Sequence, residues 1–152
     1  MTEYVCIGVP YFLGQRLDAR TEVDAIRASG IAGELGAEWL EIAPDVAASP
    51  DPVTAVNRSL AEAIAARRDR FPIIFAGDCT SAIGAAKGLE SGEGLGVVWL
   101  DAHGDFNTPE TTPSGFLGGM PLAMLVGRGE QYLLEGVGLA PLSEADIILT
   151  DA

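Results

Sequence analysis

The chain has 152 residues, a length typical of one ordinary domain with a buried core. Hydrophobic residues make up 48% of it, which excludes general disorder. Asp and Glu number 22 against 9 Lys and Arg, and the formal charge of −13 repels phosphate backbones and anionic lipid surfaces. We therefore expect neither a nucleic-acid nor a membrane partner. An acidic balance of this kind suits cationic substrates and divalent metals.

Cysteine usage and the N-terminal residues indicate the compartment. Cys6 and Cys79 are the only cysteines, and their spacing matches neither a disulfide framework nor a zinc ribbon. The first residues lack the basic and apolar regions of a signal peptide, and no apolar run reaches the length of a membrane span. We expect a cytoplasmic protein.

Apolar strands alternate with amphipathic helices along the chain. Strands are predicted at residues 4–10, 38–42, 71–76, 95–100 and 145–150. Helices are predicted at about 21–35, 52–64, 80–88 and 121–126. Apolar strands between helices indicate an α/β fold in which helices cover both faces of a parallel sheet, giving three layers. No linker is visible, so residues 1–152 are expected to form a single domain.

The predicted helix starts are of unequal strength. Thr21 is a good N-cap residue, and Asp51 followed by Pro52 is a typical helix start. The apolar side of the first helix is formed by four residues near helical spacing: Val23, Ile26, Ile31 and Leu35. Gly30 and Gly33 lie inside this segment and weaken the prediction.

The strongest functional signal follows the strand at 95–100. Asp101, His103 and Asp105 come directly after it, and His103 is the only histidine in the chain. With an extended backbone, this alternate spacing places all three side chains on one face. Carboxylates with one imidazole favour manganese, magnesium or iron over copper. Asp78 and Cys79 follow the strand at 71–76, and parallel strands would bring both groups to the same sheet edge.

Less specific interpretations exist for each of these residues. In one such interpretation, Asp101 and Asp105 only form the loop or cap a helix, and His103 is a loop histidine whose hydrogen bonds are satisfied. The combined pattern directly after a buried strand favours metal binding over this interpretation. Cys79 is either a metal ligand or a small buried residue, and the sequence leaves both open.

Two segments together resemble the arginase/agmatinase (ureohydrolase) family. One is Gly77-Asp78-Cys79-Thr80, and the other runs through residues 101–121, from Asp-Ala-His-Gly-Asp-Phe-Asn to Gly-Met-Pro. The opening of the chain is also similar to that of the family, at residues 8–10, 14 and 25–27. The resemblance implies an α/β sheet fold and a binuclear manganese site. It also implies that a metal-bound hydroxide attacks a guanidinium carbon and releases urea from arginine, agmatine or a related guanidine.

The resemblance also implies roles for particular residues. Asp101 corresponds to a bridging carboxylate, and His103 and Asp105 to ligands of one metal each. Cys79 falls at the position of a metal-binding histidine. Three residues fall where arginase holds the amino-acid end of its substrate: Asn107, Thr112 and Ser114.

The chain departs from the family pattern at three places. A thiolate at Cys79 is a softer ligand than the usual histidine, and it either shifts the metal preference or leaves that metal position weak. Gly118 stands where the family often has a histidine proposed to transfer protons. No Ser-x-Asp-x-Asp segment, a source of further metal ligands in the family, follows residue 121. The sheet is therefore expected to be incomplete and the chain truncated at its C-terminus.

These departures define two alternatives to an independent enzyme. The chain is then a truncated or degenerate family member with weak metal binding, or one that acts with a missing C-terminal segment. The exposed edges of an incomplete sheet also favour association into a homo-oligomer, or aggregation, and the sequence leaves the oligomeric state open. A metallophosphoesterase is less favoured, since Asp-x-His-Gly-Asp resembles part of its motif but the additional histidines are absent.

Overall fold

The computed structural model describes residues 3–18, 21–92 and 94–150. Asp151 and Ala152, which follow the last predicted strand, lie outside these residues. The strands are β1 (Tyr4–Val9), β2 (Tyr11–Phe12), β3 (Gln15–Arg16), β4 (Glu38–Glu41), β5 (Phe71–Ala76), β6 (Val97–Leu100) and β7 (Ile147–Thr150). The α-helices are α1 (Glu22–Ala28), α2 (Ile31–Glu34), α3 (Pro52–Ala65), α4 (Ser81–Leu89), α5 (Pro121–Leu125) and α6 (Tyr132–Val137). Single 3-10 turns occur at Leu117–Gly119 and Glu144–Asp146.

The large strands are parallel, as expected, and they lie in two groups. One sheet has the order β4-β1-β5, and a second sheet consists of β6 and β7. The short strands β2 and β3 form an antiparallel hairpin directly after β1. All five predicted strands are therefore present, and the α/β class is confirmed. The hairpin was not predicted.

Helices cover both faces of the first sheet. On one face, Val5 and Ile7 of β1 share a buried cluster with Leu60 of α3. On the opposite face, a Cβ added to Gly8 would lie 3.0 Å from a methyl carbon of Val23 in α1. Val5, Ile7 and Val23 are almost completely buried. This part of the chain therefore has the three layers that the sequence predicts.

The second sheet is covered differently. Trp99 of β6 and Ile147 of β7 pack against a large core cluster formed mainly by α4, α5 and α6. On the other face, Val98 and Ile148 are exposed, and Leu100 is 71% exposed. Helices therefore cover both faces of the first sheet, whereas the described residues cover only one face of the second sheet. This agrees with the expectation of an incomplete fold.

The predicted helix at 21–35 is wrong in its extent. It is divided into α1 and α2 by Gly30, whose φ of +80° lies in the left-handed region. Thr21 does cap α1, because its hydroxyl accepts a hydrogen bond from the amide of Asp24. Leu35, expected on the apolar side, is exposed at the end of α2.

Helix α6 is an element that the sequence analysis missed. Its buried residues are Leu133, Leu134 and Val137, which belong to the larger core cluster. Gly138 ends the helix with a φ of +72°, the typical glycine C-cap. The helical spacing of these apolar residues, followed by Gly138, was the sequence signal that could have predicted this helix. Among the described residues, no helix combines the length and apolar character needed to cross a membrane.

Close packing of α3 against α4 fixes the position of the candidate site. The Oδ1 atom of Asn57, completely buried in α3, accepts a hydrogen bond of 2.7 Å from the amide of Gly84 in α4. Its Nδ2 atom donates to the carbonyl of Val53. Helix α4 begins two residues after Cys79, so this contact restrains the end of β5.

We expect Gly84→Ala to destabilise the protein by about 1–3 kcal/mol, the usual cost of overpacking. Its Cβ would lie 2.5 Å from the backbone oxygen of Asn57, which cannot move as freely as a side chain. Urea-induced unfolding measures the change. Gly33→Ala is the matched control: its Cβ has no neighbour within 4 Å, and it should be neutral or stabilising by up to about 1 kcal/mol. Equal effects of the two variants would contradict close α3–α4 packing.

Candidate metal centre

The residues that follow β5 and β6 come together, as predicted, although the described residues place these strands in two separate sheets and not at one sheet edge. Cys79 lies just beyond β5, and Asp101 and Asp105 follow β6. One potential ligand atom from each of these three residues lies within 4.8 Å of the other two. The thiol sulfur of Cys79 is 3.9 Å from Oδ2 of Asp101. Cys79, which is 22 or more positions from the two aspartates in the sequence, thus joins them in one compact donor group.

Asp105 provides the most direct evidence that this group fits a cation. Its side chain is buried, and its Oδ2 atom makes no hydrogen bond to any residue that the structure describes. Leaving a buried acceptor without a partner is costly unless another group or ion interacts with it. Two carboxylates and a thiol are metal-binding residue types, so Cys79, Asp101 and Asp105 fit a divalent ion.

The backbone at Asp105 is held in an uncommon conformation. Its φ of +46° lies in the left-handed region, which Asp tolerates better than most residues. Its carbonyl oxygen accepts hydrogen bonds from the amides of Leu122 and Ala123, 3.0 and 3.3 Å away, in the first turn of α5. These bonds satisfy amides that would otherwise lack partners. Helix α5 therefore fixes the position of the Asp105 carboxylate.

The predicted extended backbone from Asp101 to Asp105 is wrong. Strand β6 ends at Leu100, and the Oδ1 atom of Asp101 then accepts a hydrogen bond of 3.0 Å from the amide of His103. This turn and the left-handed Asp105 interrupt the alternation on which the common face depended. The His103 side chain is 84% exposed, and its Nδ1 atom lies 3.5 Å from Oδ1 of Asp101. His103 is outside the compact donor group, and its role as a ligand stays a prediction.

Asp78 has a structural role and is not part of the donor group. Its Oδ2 atom accepts a hydrogen bond of 2.7 Å from the amide of Leu13 in the β2–β3 hairpin. Its Oδ1 atom accepts from both the amide and the hydroxyl of Thr80. Both carboxylate oxygens are therefore engaged, and Asp78 ties the hairpin to the start of α4.

Burial and neighbouring negative charge oppose ionisation of Cys79 and Asp105. Burial raises the pKa of the Cys79 thiol to about 12, with Asp105, Asp101 and Asp78 adding to the rise. Burial also raises the pKa of Asp105, and the charge of Asp101 adds to this, while contact with the Cys79 thiol opposes it. A divalent cation reverses this preference, because it stabilises the carboxylates and deprotonates a coordinating thiol.

A cavity of about 430 Å³ opens over the donor group. All seven residues predicted for metal or substrate binding line it: Cys79, Asp101, His103, Asp105, Asn107, Thr112 and Ser114. The amide of Asn107 donates to the carbonyl of Gly119, 3.1 Å away, which closes the base of the loop at 106–119. The tertiary structure thus brings the predicted residues around one space. Phe116 also lines it, although the sequence analysis did not single this residue out.

The hydroxyl groups on this loop are oriented by their own backbone. The Oγ1 atom of Thr112 accepts a hydrogen bond from the amide of Gly115, and the Oγ atom of Ser114 accepts from the amide of Phe116. A hydroxyl that accepts in this way still has its hydrogen to donate. Both side chains are therefore suited to donate to an anionic or carbonyl group in the cavity.

Comparison with known proteins identifies the family. The Arginase family model matches residues 2–145, and this chain belongs to that family. An arginase of Bacillus caldovelox is 46% identical over 92 residues, covering 59% of this chain and 31% of that protein. A Staphylococcus aureus arginase is 35% identical over 151 residues, covering 85% of this chain and 50% of that protein.

Solved structures give the same result for the fold. The crystal structure of arginase from Bacillus subtilis superposes with a TM-score of 0.81 at 34% identity. The match covers 97% of this chain and 55% of that one. The chain therefore spans about half the length, or less, of the arginases that it matches.

We expect Asp105→Asn to weaken binding of divalent metal by at least about tenfold, because it removes the charge of a buried donor. Asn tolerates the left-handed backbone, so the loop should keep its conformation. Titration calorimetry with manganese and zinc measures the affinity. Asp69→Asn is the matched control, since Asp69 is exposed and lies outside the donor group, and its affinity should equal that of the wild type.

His103→Ala in the same titration tests the imidazole. The family resemblance predicts a loss of affinity, which requires the exposed side chain to turn towards the donor group. An unchanged affinity would show that the ion is held without His103. Unchanged affinity in Asp105→Asn would contradict the metal centre itself.

Proposed function

We propose that this protein is a metal-dependent hydrolase of the ureohydrolase type, acting on the guanidinium group of a small cation with release of urea. The observation that most supports this proposal is the compact group of Cys79, Asp101 and Asp105. These residues line a cavity that hydrogen-bonding side chains also line. Membership of the arginase family supports this reaction class.

Two chemically different kinds of side chain line the cavity. Asp101 and Asp105 give one part a negative charge that attracts a guanidinium group. Asn107, Thr112 and Ser114 supply amide and hydroxyl donors that suit a carboxylate elsewhere on the substrate. This division favours arginine or another guanidino acid over agmatine, which has no carboxylate.

A divalent ion would be held by Cys79, Asp101 and Asp105, with His103 as a further proposed ligand. When bound, such an ion supplies polarisation of water for attack on the guanidinium carbon. The chain's own residues bind and orient the substrate, since the loop donors hold one end and the carboxylates attract the other. Gly118 offers no group for proton transfer, so a proton leaving the reaction centre must pass to solvent or to another residue.

A second candidate is a degenerate family member that binds metal but does not turn over substrate on its own. Cys79 in place of the family's histidine, and a compact group of three donors where the family has two metal ions, favour this candidate. The chain also spans about half of its arginase relatives, so activity that requires a further segment belongs to the same alternative.

Urea release tests the proposed function directly. We expect the metal-loaded protein to release urea from arginine faster than from agmatine, because only arginine has a carboxylate for the loop donors. A colorimetric urea assay measures both rates, and Asp101→Asn is expected to abolish them. Tight metal binding without urea from any guanidine would support the second candidate and refute independent catalysis.

Cys79 is expected to determine the metal preference. Thiolate favours zinc over manganese, whereas imidazole with carboxylates accommodates manganese. We therefore expect Cys79→His to raise manganese affinity relative to zinc by about tenfold or more, measured by competition between the two metals. Cys79→Ser is the control of similar size and should weaken zinc binding without this gain for manganese. An unchanged manganese-to-zinc ratio in Cys79→His would show that residue 79 is not a ligand.

A further inference from the structure

Phe116 occupies a defined place in the wall of the candidate site. It is 46% exposed and lines the same cavity as Asp101 and Asp105. A Cβ added to Gly118 would lie 2.5 and 2.6 Å from two carbon atoms of the Phe116 ring. The ring therefore lies in the space that any side chain at position 118 would need. Glycine at 118 and an aromatic ring at 116 are structurally coupled.

The ring is supported from outside the loop. Phe12, in the β2–β3 hairpin, stacks on Phe116 with ring centroids 6.2 Å apart and an interplanar angle of 25°. The next residue, Leu13, donates its amide to Asp78, and the backbone at Leu13 has a φ of +45°. The hairpin is also packed closely at Gly14, where a Cβ would lie 2.7 Å from the backbone of Pro52. Anchoring at these two points limits how far the Phe12 ring can shift.

The chemistry of the cavity determines what such a ring can bind. Carboxylates in the same cavity favour a cation, and a guanidinium is planar, weakly hydrated and stacks on aromatic faces. The chain contains this arrangement elsewhere: the guanidinium carbons of Arg16 and Arg128 lie 5.5 and 5.4 Å from the ring centroids of Tyr11 and Phe106. A neutral ligand of the same shape would gain the apolar contact but not the attraction between cation and ring.

We propose that Phe116 is a specificity-determining residue whose ring, stacked on Phe12 and lying over Gly118, binds the guanidinium face of the substrate and selects it against neutral isosteres. The inference rests on the proposed use of this cavity for a guanidine substrate. It assigns selection of the cation to a side chain outside the donor group. It also gives the glycine at 118 a function, which is to leave room for the ring.

Binding of a matched pair of ligands tests this inference without turnover. The probes are n-butylguanidinium and n-butylurea, which share shape but differ in charge, titrated into the metal-free protein and followed by NMR. We expect Phe116→Leu to weaken butylguanidinium binding about two- to fivefold, the range for an exposed cation–π contact. Butylurea binding should change much less. Phe116→Tyr, which keeps an aromatic face, should retain the affinity for butylguanidinium.

Several outcomes would overturn the inference. They are an equal loss for both ligands in Phe116→Leu, no loss for either, or a loss in Phe116→Tyr as large as that in Phe116→Leu. These outcomes are independent of urea release. A protein that binds butylguanidinium through Phe116 but releases no urea would refute the proposed function and leave this inference standing. Urea release by the wild type, together with unchanged butylguanidinium binding in Phe116→Leu, would support the proposed function and refute this inference.

Separate variants test the proposed coupling between the Phe116 ring and Gly118. Gly118→Ala should displace the ring and weaken butylguanidinium binding as Phe116→Leu does. Added to Phe116→Ala, it should cause no further loss, because no ring remains to be displaced. Gly33→Ala is the control, since Gly33 is not among the residues that line the cavity and its Cβ would have no neighbour within 4 Å. Full binding in Gly118→Ala, or additive losses in the double variant, would contradict the coupling.

Discussion

The structure depends on holding two carboxylates and a thiol together just beyond the ends of β5 and β6. Asp101 and Asp105 repel each other when both are ionised, and burial of Asp105 and Cys79 adds a desolvation cost. The fold opposes this with backbone hydrogen bonds, because α5 donates two amides to the Asp105 carbonyl and the His103 amide binds Asp101. These bonds hold the group together without an ion, and binding of a cation would relieve the repulsion.

Elements on either side of this group restrain one another. Asp78 links the hairpin to the start of α4, and α4 is fixed in turn by its hydrogen bond to the buried Asn57. From the hairpin, Phe12 reaches across to Phe116 on the loop that lines the cavity. Asp78, beside the donor group, is thus connected through the hairpin to the loop residues expected to contact substrate. The support of the site comes from several distant segments of the chain.

One face of the second sheet, formed by β6 and β7, is not covered by any described residue, and the matched arginases are longer than this chain. Val98, Leu100 and Ile148 form an exposed apolar surface beside a cleft of about 390 Å³ that is lined by residues of β5, β6 and α4. The match to the Bacillus subtilis arginase covers 55% of that chain, so the relative contains much that has no counterpart in the described residues. The donor group lies beside this cleft, since Cys79 and Asp101 line both spaces.

The sequence by itself determined the elements whose signals are local. Apolar runs bounded by polar residues located all five main strands, and the side chains of Thr21 and Asp51 cap the helices that they were expected to start. The residues around the cavity were also predictable, because they lie in two short motifs at strand ends. Gly30 was recognised as a weakness, but its left-handed conformation, which ends α1, was not.

Only the tertiary structure decided how the motif residues are arranged. The alternation of Asp101, His103 and Asp105 suggested one shared face, but hydrogen bonds to α5, some 17 residues further along the chain, turn the backbone at Asp105 and leave His103 exposed. Phe116 carried no sequence signal, since its position depends on a ring from the hairpin about 100 residues earlier. Local patterns specify which residues approach the site. Contacts between distant segments set the direction of each side chain, because a loop backbone follows the partners available to its hydrogen-bonding groups.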